Sequence, residues 1–186
     1  MDGEQNPMPI FDASKLWYYT GKVRPPFAEM PSAGQESVWD YPRPPRAERS
    51  TKTILVMFQD RALARSSRSI RVLETAGPPT YYLPAADVNF DCLDPCGGES
   101  WCEWKGRAHY LRLAPPVKSD QAVAWYYPVP NDEYSALANY VAFYPGRVAC
   151  WVDEERVEPQ AGEFYGGWMT HEIVGPVKGE RGTESW

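Results

Sequence analysis

Cys102-Glu-Trp-Lys-Gly-Arg-Ala-His-Tyr110 is the stretch on which the reading of this chain turns. It sets a thiol, an amine, an imidazole and two aromatic rings around one glycine. Gly106 has no Cβ, so the backbone is free to turn there. His109 and Tyr110 then run into the apolar-rich Tyr110-Leu-Arg-Leu-Ala114, which reads as a strand. Reactive and polar groups on a turn carried by a rigid element are a common build for a binding or catalytic site.

Working outward, Lys52–Phe58 reads as a strand, Gln59–Arg61 as a turn and Ala62–Ala64 as the return of a hairpin. Ser69–Glu74 is the next strand, with Ala76-Gly-Pro-Pro79 as its break. Tyr81–Leu83, a helical turn at Pro84–Asp87 and a strand over Val88–Leu93 follow. Downstream, Gln121–Tyr127 reads as a strand and Pro128-Val-Pro130 as a break. Asn131 is placed to cap a short helix, with Asp132 and Glu133 in its first turn, ending near Asn139. Tyr140–Tyr144 and Val148–Val152 then read as a hairpin across Pro145-Gly146.

The 19 prolines are scattered through all 186 residues and leave little room for long helices. With 8 Trp and 12 Tyr, bulky rings either fill a small core or line a pocket. The expected fold is mainly β, a small barrel or sandwich with one or two short helices and extended terminal arms. Residues 1–36 read as an N-terminal arm, 37–158 as the single domain, and 159–186 as a glycine-rich tail packing on it. Ile10–Tyr19 reads as a short helix or strand in the arm. Ser37-Val-Trp-Asp-Tyr-Pro-Arg-Pro-Pro-Arg46 reads as polyproline II that packs Trp39 and Tyr41 on the domain and sets Arg43 and Arg46 near a pocket mouth; the alternative is a ligand for an SH3-like partner.

A net charge of −6 argues against nucleic-acid binding. From Arg43 to Arg71, eight basic residues face two acidic ones, a local +6 that leaves −12 for the remainder. Such a segment either holds an anionic small molecule or is the solvated face of a hairpin. The longest uncharged run, Tyr134 to Gly146, is too short to span a bilayer, and the acidic start lacks an apolar targeting segment. A soluble cytoplasmic protein is expected, as a monomer or a homodimer, with its four cysteines as thiols.

Cys92, Cys96, Cys102, His109 and Cys150 lack the Cys-x2-Cys knuckle of structural zinc sites, so no metal and no other cofactor is expected. As a nucleophile, Cys102 would use His109 as base and Lys105 to favour its thiolate, against the alternative of a buried, inert thiol. Glu74 and Lys105 form the stronger pair, either an ion pair at a pocket mouth or an acid/base couple, against a plain structural salt bridge. Gly97-Gly98, Gly166-Gly167 and Gly175–Gly182 lack the context of a phosphate loop or a dinucleotide-binding turn. Tyr81, Tyr82, Trp104, Tyr110, Trp125, Tyr127, Tyr140 and Tyr144 lie at or beside strand ends, where they cage a ligand or fill the core.

Six segments appear in one order: Val38-Trp-Asp-Tyr-Pro-Arg-Pro-Pro-Arg46, Arg71-Val-Leu-Glu-Thr75, Pro78-Pro-Thr-Tyr-Tyr82, Cys102-Glu-Trp-Lys-Gly106, Trp125-Tyr-Tyr-Pro128 and Tyr140-Val-Ala-Phe-Tyr-Pro145. This order resembles the family called domain of unknown function 427, with the core match from about Lys52 to Asp153. Phe164-Tyr-Gly-Gly-Trp168 and Gly175-Pro-Val-Lys178 are similar to longer members. The resemblance implies a compact β-tent-like fold, shared with zinc-binding relatives that recognise small molecules in aromatic pockets. It implies one copy here, where some members carry two. A nucleotidyltransferase label is attached to the family in places, and no residues here supply a reason for it. Trp104 stands where Phe is common, and Cys92 and Cys96 fall in a loop where Leu and Ser are typical.

The leading expectation is a domain that binds an unknown small molecule, with no nucleic-acid or membrane partner. Its pocket would use Tyr81, Trp104, Gly106, Tyr110, Trp125 and Tyr127, with Glu74, Lys105 and Arg46 fixing polar groups. One alternative is an enzyme in the same pocket, with Glu74 as acid/base, Lys105 holding an anion and Cys102 as nucleophile. Another is a protein-interaction module built on the proline-rich lead-in and the acidic tail.

Overall fold

The computed structural model describes residues 18–117, 119–162, 164–183 and 185–186. Ile10–Tyr19, expected as a helix or strand, lies mostly outside them. The described chain is mainly β, with its helical turns all of the short 3-10 kind. In chain order, β1 (Glu36–Ser37) leads through a 3-10 turn at Val38–Asp40 to β2 (Arg46–Arg49). β3 (Ile54–Phe58), β4 (Arg61–Ser66), β5 (Ile70–Glu74) and β6 (Gly77–Pro84) follow. Two 3-10 turns, Ala85–Asp87 and Phe90–Cys92, precede β7 (Leu93–Cys102), β8 (Gly106–Leu113) and β9 (Ala122–Tyr126). After a 3-10 segment at Asp132–Leu137 come β10 (Tyr140–Phe143), β11 (Ala149–Val152), β12 (Glu155–Arg156), β13 (Glu158–Pro159), β14 (Trp168–Met169) and β15 (Ile173–Val174).

Two open sheets carry the architecture. One has seven strands in the order β2-β5-β6-β10-β9-β8-β7, the other four in the order β12-β11-β3-β4; β1-β15 and β13-β14 form short ribbons. No sheet among the described residues closes, so of the expected barrel or sandwich the chain forms the sandwich-like arrangement. Ile54, Val56, Leu63, Val148, Cys150 and Val152 of the smaller layer meet Tyr81, Leu83, Leu111, Leu113, Val141 and Phe143 of the larger one. Trp168 from β14 is fully buried in that core and donates Nε1 to the Phe143 carbonyl at 3.1 Å.

Side chains alternate along a strand, so the same strands give the large sheet a second face. Ile70 and Val72 of β5, Tyr82 of β6, Ala108 and Tyr110 of β8, and Trp125 of β9 gather there with Tyr127, covered in part by Tyr134 and Leu137 of the last 3-10 segment. A third cluster ties the lead-in to the C-terminal tail: Val38, Trp39 and Tyr41 pack on Leu73, Ala76 and Ile173. The packing of Trp39 and Tyr41 agrees with expectation, and Trp39 Nε1 donates to the Pro176 carbonyl at 3.0 Å. No helix among the described residues is long and apolar enough to cross a membrane.

Several local expectations are corrected. Tyr140–Tyr144 and Val148–Val152 do not form a hairpin: β10 already pairs on one edge with β6 and on the other with β9, so β11 crosses to the smaller sheet and pairs with β3. Ala76–Pro79 is not a break; the turn is confined to Thr75 and left-handed Ala76 (φ 68°), and Gly77, Pro78 and Pro79 open β6. In place of a strand over Val88–Leu93, Val88 makes a single bridge to Ala64, Phe90–Cys92 is a 3-10 turn and Leu93 opens β7. That strand includes Cys96, expected in a loop, and also Gly97 and Gly98, because it lies on the sheet edge and a register shift between Cys96 and Glu99 absorbs the glycines.

Candidate functional site

The turn expected at Gly106 is present: Cys102 pairs with Gly106, and residues 103–105 join β7 to β8. Gly106 has φ +94°, and a Cβ there would lie 3.1 Å from Asn131 Oδ1. Asn131 does not cap the following 3-10 segment with its side chain, as expected; Nδ2 instead donates to the Trp104 carbonyl at 2.7 Å, and its backbone N–H to the Lys105 carbonyl at 3.2 Å. The turn is therefore clamped from outside, which directs Trp104 and Lys105 inward.

They enter a cavity of about 350 Å³ on the second face of the large sheet, within the size range of small-molecule sites. Tyr82, Cys102, Tyr110, Trp125, Tyr127 and Tyr144 form its aromatic and sulfur-bearing walls. Glu74, Thr75 and Pro78 line one side, and the tail closes over it with Gln160, Phe164, Tyr165, Gly166, Gly167 and Lys178. The tail approaches closely because it is glycine there: a Cβ on Gly166 would lie 2.2 Å from Trp125 Cη2, and one on Gly167 2.3 Å from Gln160 Oε1. Gln160 Nε2 donates to the Lys178 carbonyl at 2.7 Å, and Lys178 N–H to the Ala76 carbonyl at 2.8 Å, joining the tail to the rim.

A polar network runs along the inner wall. Trp125 Nε1 donates to Tyr82 Oη at 3.2 Å. The Tyr82 and Tyr127 rings lie 6.3 Å apart, and Cys102 and Lys105 line the same wall. Burial opposes the Lys105 charge, but Tyr82, Cys102 and Glu74 together hold its pKa above the ordinary value, so it enters the cavity as an ammonium. Burial pushes the phenols of Tyr82 and Tyr127 up, keeping them neutral hydrogen-bonding groups. The Lys178 pKa is lowered by burial, an effect that Glu74 opposes and Arg43 reinforces. Trp104 Nε1 is buried without a hydrogen-bond partner within the described structure, an arrangement rare enough to mark a position.

Of the residues expected at the site, Glu74, Cys102, Trp104, Lys105, Tyr110, Trp125 and Tyr127 line this one cavity, and Gly106 builds the turn behind it. Glu74 does not take Lys105 as its ion-pair partner. It pairs with Arg43 at 3.3 Å, and Arg43 also donates to the Thr75 carbonyl at 2.8 Å. Arg46 lies away from the cavity, exposed on the edge strand β2 and paired with Glu48 at 3.1 Å. Tyr81 faces the inter-sheet core, its ring 5.2 Å from that of Trp168. The tail residues Gln160, Phe164, Tyr165 and Lys178 were not anticipated, and Tyr82, weighed as a cage or core ring, lines the cavity because period-2 alternation sets it opposite Leu83.

With this geometry in place, the comparisons bear on kinship. A sequence model of the family described as a domain of unknown function (DUF427) matches residues 46–154. The chain belongs to the DUF427 family. The match begins at β2 and ends just past β11, so it spans the seven-stranded sheet and all but β12 of the smaller one in a single copy. The tail residues that close the cavity of this DUF427 chain lie beyond it. A comparison with curated proteins finds no match.

Proposed function

We propose that the protein binds a small molecule in the aromatic-lined cavity. The observation that carries this reading is the convergence of four separate parts of the chain on one space of about 350 Å³. The β5–β6 rim, the β7–β8 turn, β9 and the C-terminal tail all contribute. Its walls offer flat rings for contact and a few polar groups for orientation, the composition of ligand sites. We take the protein to be cytoplasmic, a setting in which its four unbridged cysteines remain thiols.

The test is native mass spectrometry of protein purified from cell extract. A stoichiometric adduct lost on denaturation supports the reading, and Lys105→Ala, which removes a cavity-lining ammonium, is expected to fold and lose it. A wild-type spectrum at the mass of the bare chain counts against it, and so does an adduct that the variant keeps.

An enzymatic reading of the same cavity draws on one observation, the contact of the Cys102 thiol with the Lys105 ammonium and Tyr127. Glu74 suits the acid/base role less well, because the buried guanidinium of Arg43 engages its carboxylate.

A further inference from the structure

Lys105 is only 8% exposed and lines the cavity. Among the described residues no carboxylate lies within ion-pair distance of its ammonium, since Glu74 is taken by Arg43. The groups that act on it are Tyr82, Cys102 and, beyond ion-pair distance, Glu74. Burying an ammonium among such groups is costly unless an anion joins it. The described charged side chains of the lining are Lys105, Lys178, Glu74 and Glu103, and Glu74 is paired with Arg43. Glu103 acts on Arg43 and Lys178.

We infer that the cavity takes a small planar monoanion, an aromatic or heteroaromatic carboxylate, with its carboxylate on Lys105 and its ring against the walls formed by Trp125 and Tyr144. This rests on the small-molecule reading above and gives it a chemical class. One ammonium flanked by hydroxyl donors matches a single carboxylate. A phosphate is better served by a guanidinium fork or several cations. A cationic ligand, which aromatic walls alone would suit, meets the repulsion of Lys105.

The test is calorimetric titration of the full chain with three probes of one shape: naphthoate, naphthamide and naphthylmethylammonium. Naphthoate is expected to bind roughly tenfold to a hundredfold more tightly than naphthamide, the range of one charge-assisted hydrogen bond, with the ammonium weakest. Lys105→Met is expected to bring acid and amide within about twofold of each other, the charge-assisted bond being gone. The wild-type comparison decides the matter even if that variant fails to fold. Equal binding of acid and amide, preference for the ammonium, or no binding of any probe overturns the inference. A neutral or cationic molecule found on the native protein also overturns it while leaving the small-molecule reading intact. A bare native spectrum together with three silent probes removes both.

Discussion

Tyr81 and Tyr82 are neighbours in β6 and serve opposite faces of the large sheet. Tyr81 packs on Trp168 in the inter-sheet core, ring centroids 5.2 Å apart, while Tyr82 accepts a 3.2 Å hydrogen bond from Trp125 Nε1 on the cavity wall. One step along the strand separates a residue that holds the fold together from one that shapes the site.

Substitutions at the pair should separate accordingly. Tyr81→Ala opens a cavity in the core and is expected to cost about 3–5 kcal/mol, whereas Tyr82→Phe removes one hydroxyl and costs about 1 kcal/mol. Urea unfolding measures both. Equal losses at the two positions would contradict the assignment of faces.

Arg43 and Arg46 flank the same two prolines and are expected to differ as sharply. Arg43 is 7% exposed and bonds Glu74 and two backbone carbonyls. Its replacement by Ala leaves those groups without a partner and is expected to cost about 3 kcal/mol or more. Arg46 forms a surface pair, and Arg46→Ala should change stability by less than about 0.5 kcal/mol. Thermal midpoints of the two variants give the answer directly, and a large effect at Arg46 would be inconsistent with its exposed position.

Gly166→Ala places a methyl where Trp125 already stands, 2.2 Å from its ring. Neither a packed indole nor the tail backbone yields cheaply, so the tail is expected to lift at a cost of about 1–3 kcal/mol. Limited proteolysis should then cut near residues 160–167 faster than in the wild type. Unchanged cleavage would mean that the tail does not depend on this contact.

Cysteine reactivity should follow position. Cys150 is fully buried in the core, and burial pushes its thiol well up, while Cys102 is half-buried at the cavity beside Lys105. Iodoacetamide at neutral pH is expected to modify Cys102 well before Cys150, as read by peptide mass spectrometry. Equal rates at the two would show that the cavity wall is as closed as the core.

Stability should decline on the alkaline side. Burial raises the pKa of Cys150 above its ordinary 9.0 and of Tyr82, Tyr127 and Tyr144 above 10.0. In the folded chain these groups keep protons that the unfolded chain has released, so their contribution is complete below about pH 9 and shrinks above it. Lys105, held above 10.5, adds the same sign at still higher pH. Lys178, lowered by burial, has the opposite sign: its dehydrated ammonium costs stability at lower pH, and the cost lifts as it deprotonates. It is outnumbered. Thermal midpoints are expected to hold to about pH 9 and then fall, and a midpoint that rises through that range would refute the account.

Much of this was legible in residue order. The Gly106 turn and the β3–β4 hairpin follow from local pattern, because turns and alternation depend on near neighbours, and Trp39, Tyr41, Glu74, Trp104, Lys105 and Trp125 stood out singly by residue type and place. The exchange of partners, β10 with β6 and β9 but β11 with β3, was not legible, since a pairing edge is claimed by strands distant in the chain. The tail residues Gln160 and Lys178 escaped for the same reason. Nothing in their neighbourhood signals a cavity wall built from residues 72 to 144.

By itself, then, the amino-acid order determined a β protein of short strands, its family, and the set of rings and charges available for a site. Those follow from proline placement, alternation and motif order, all local properties. Only the tertiary structure decided which face each ring serves, that Arg43 rather than Lys105 neutralises Glu74, and that the tail closes the cavity. These outcomes are set by burial and by competition among charges brought together across the whole chain, and no window of sequence contains all the competitors.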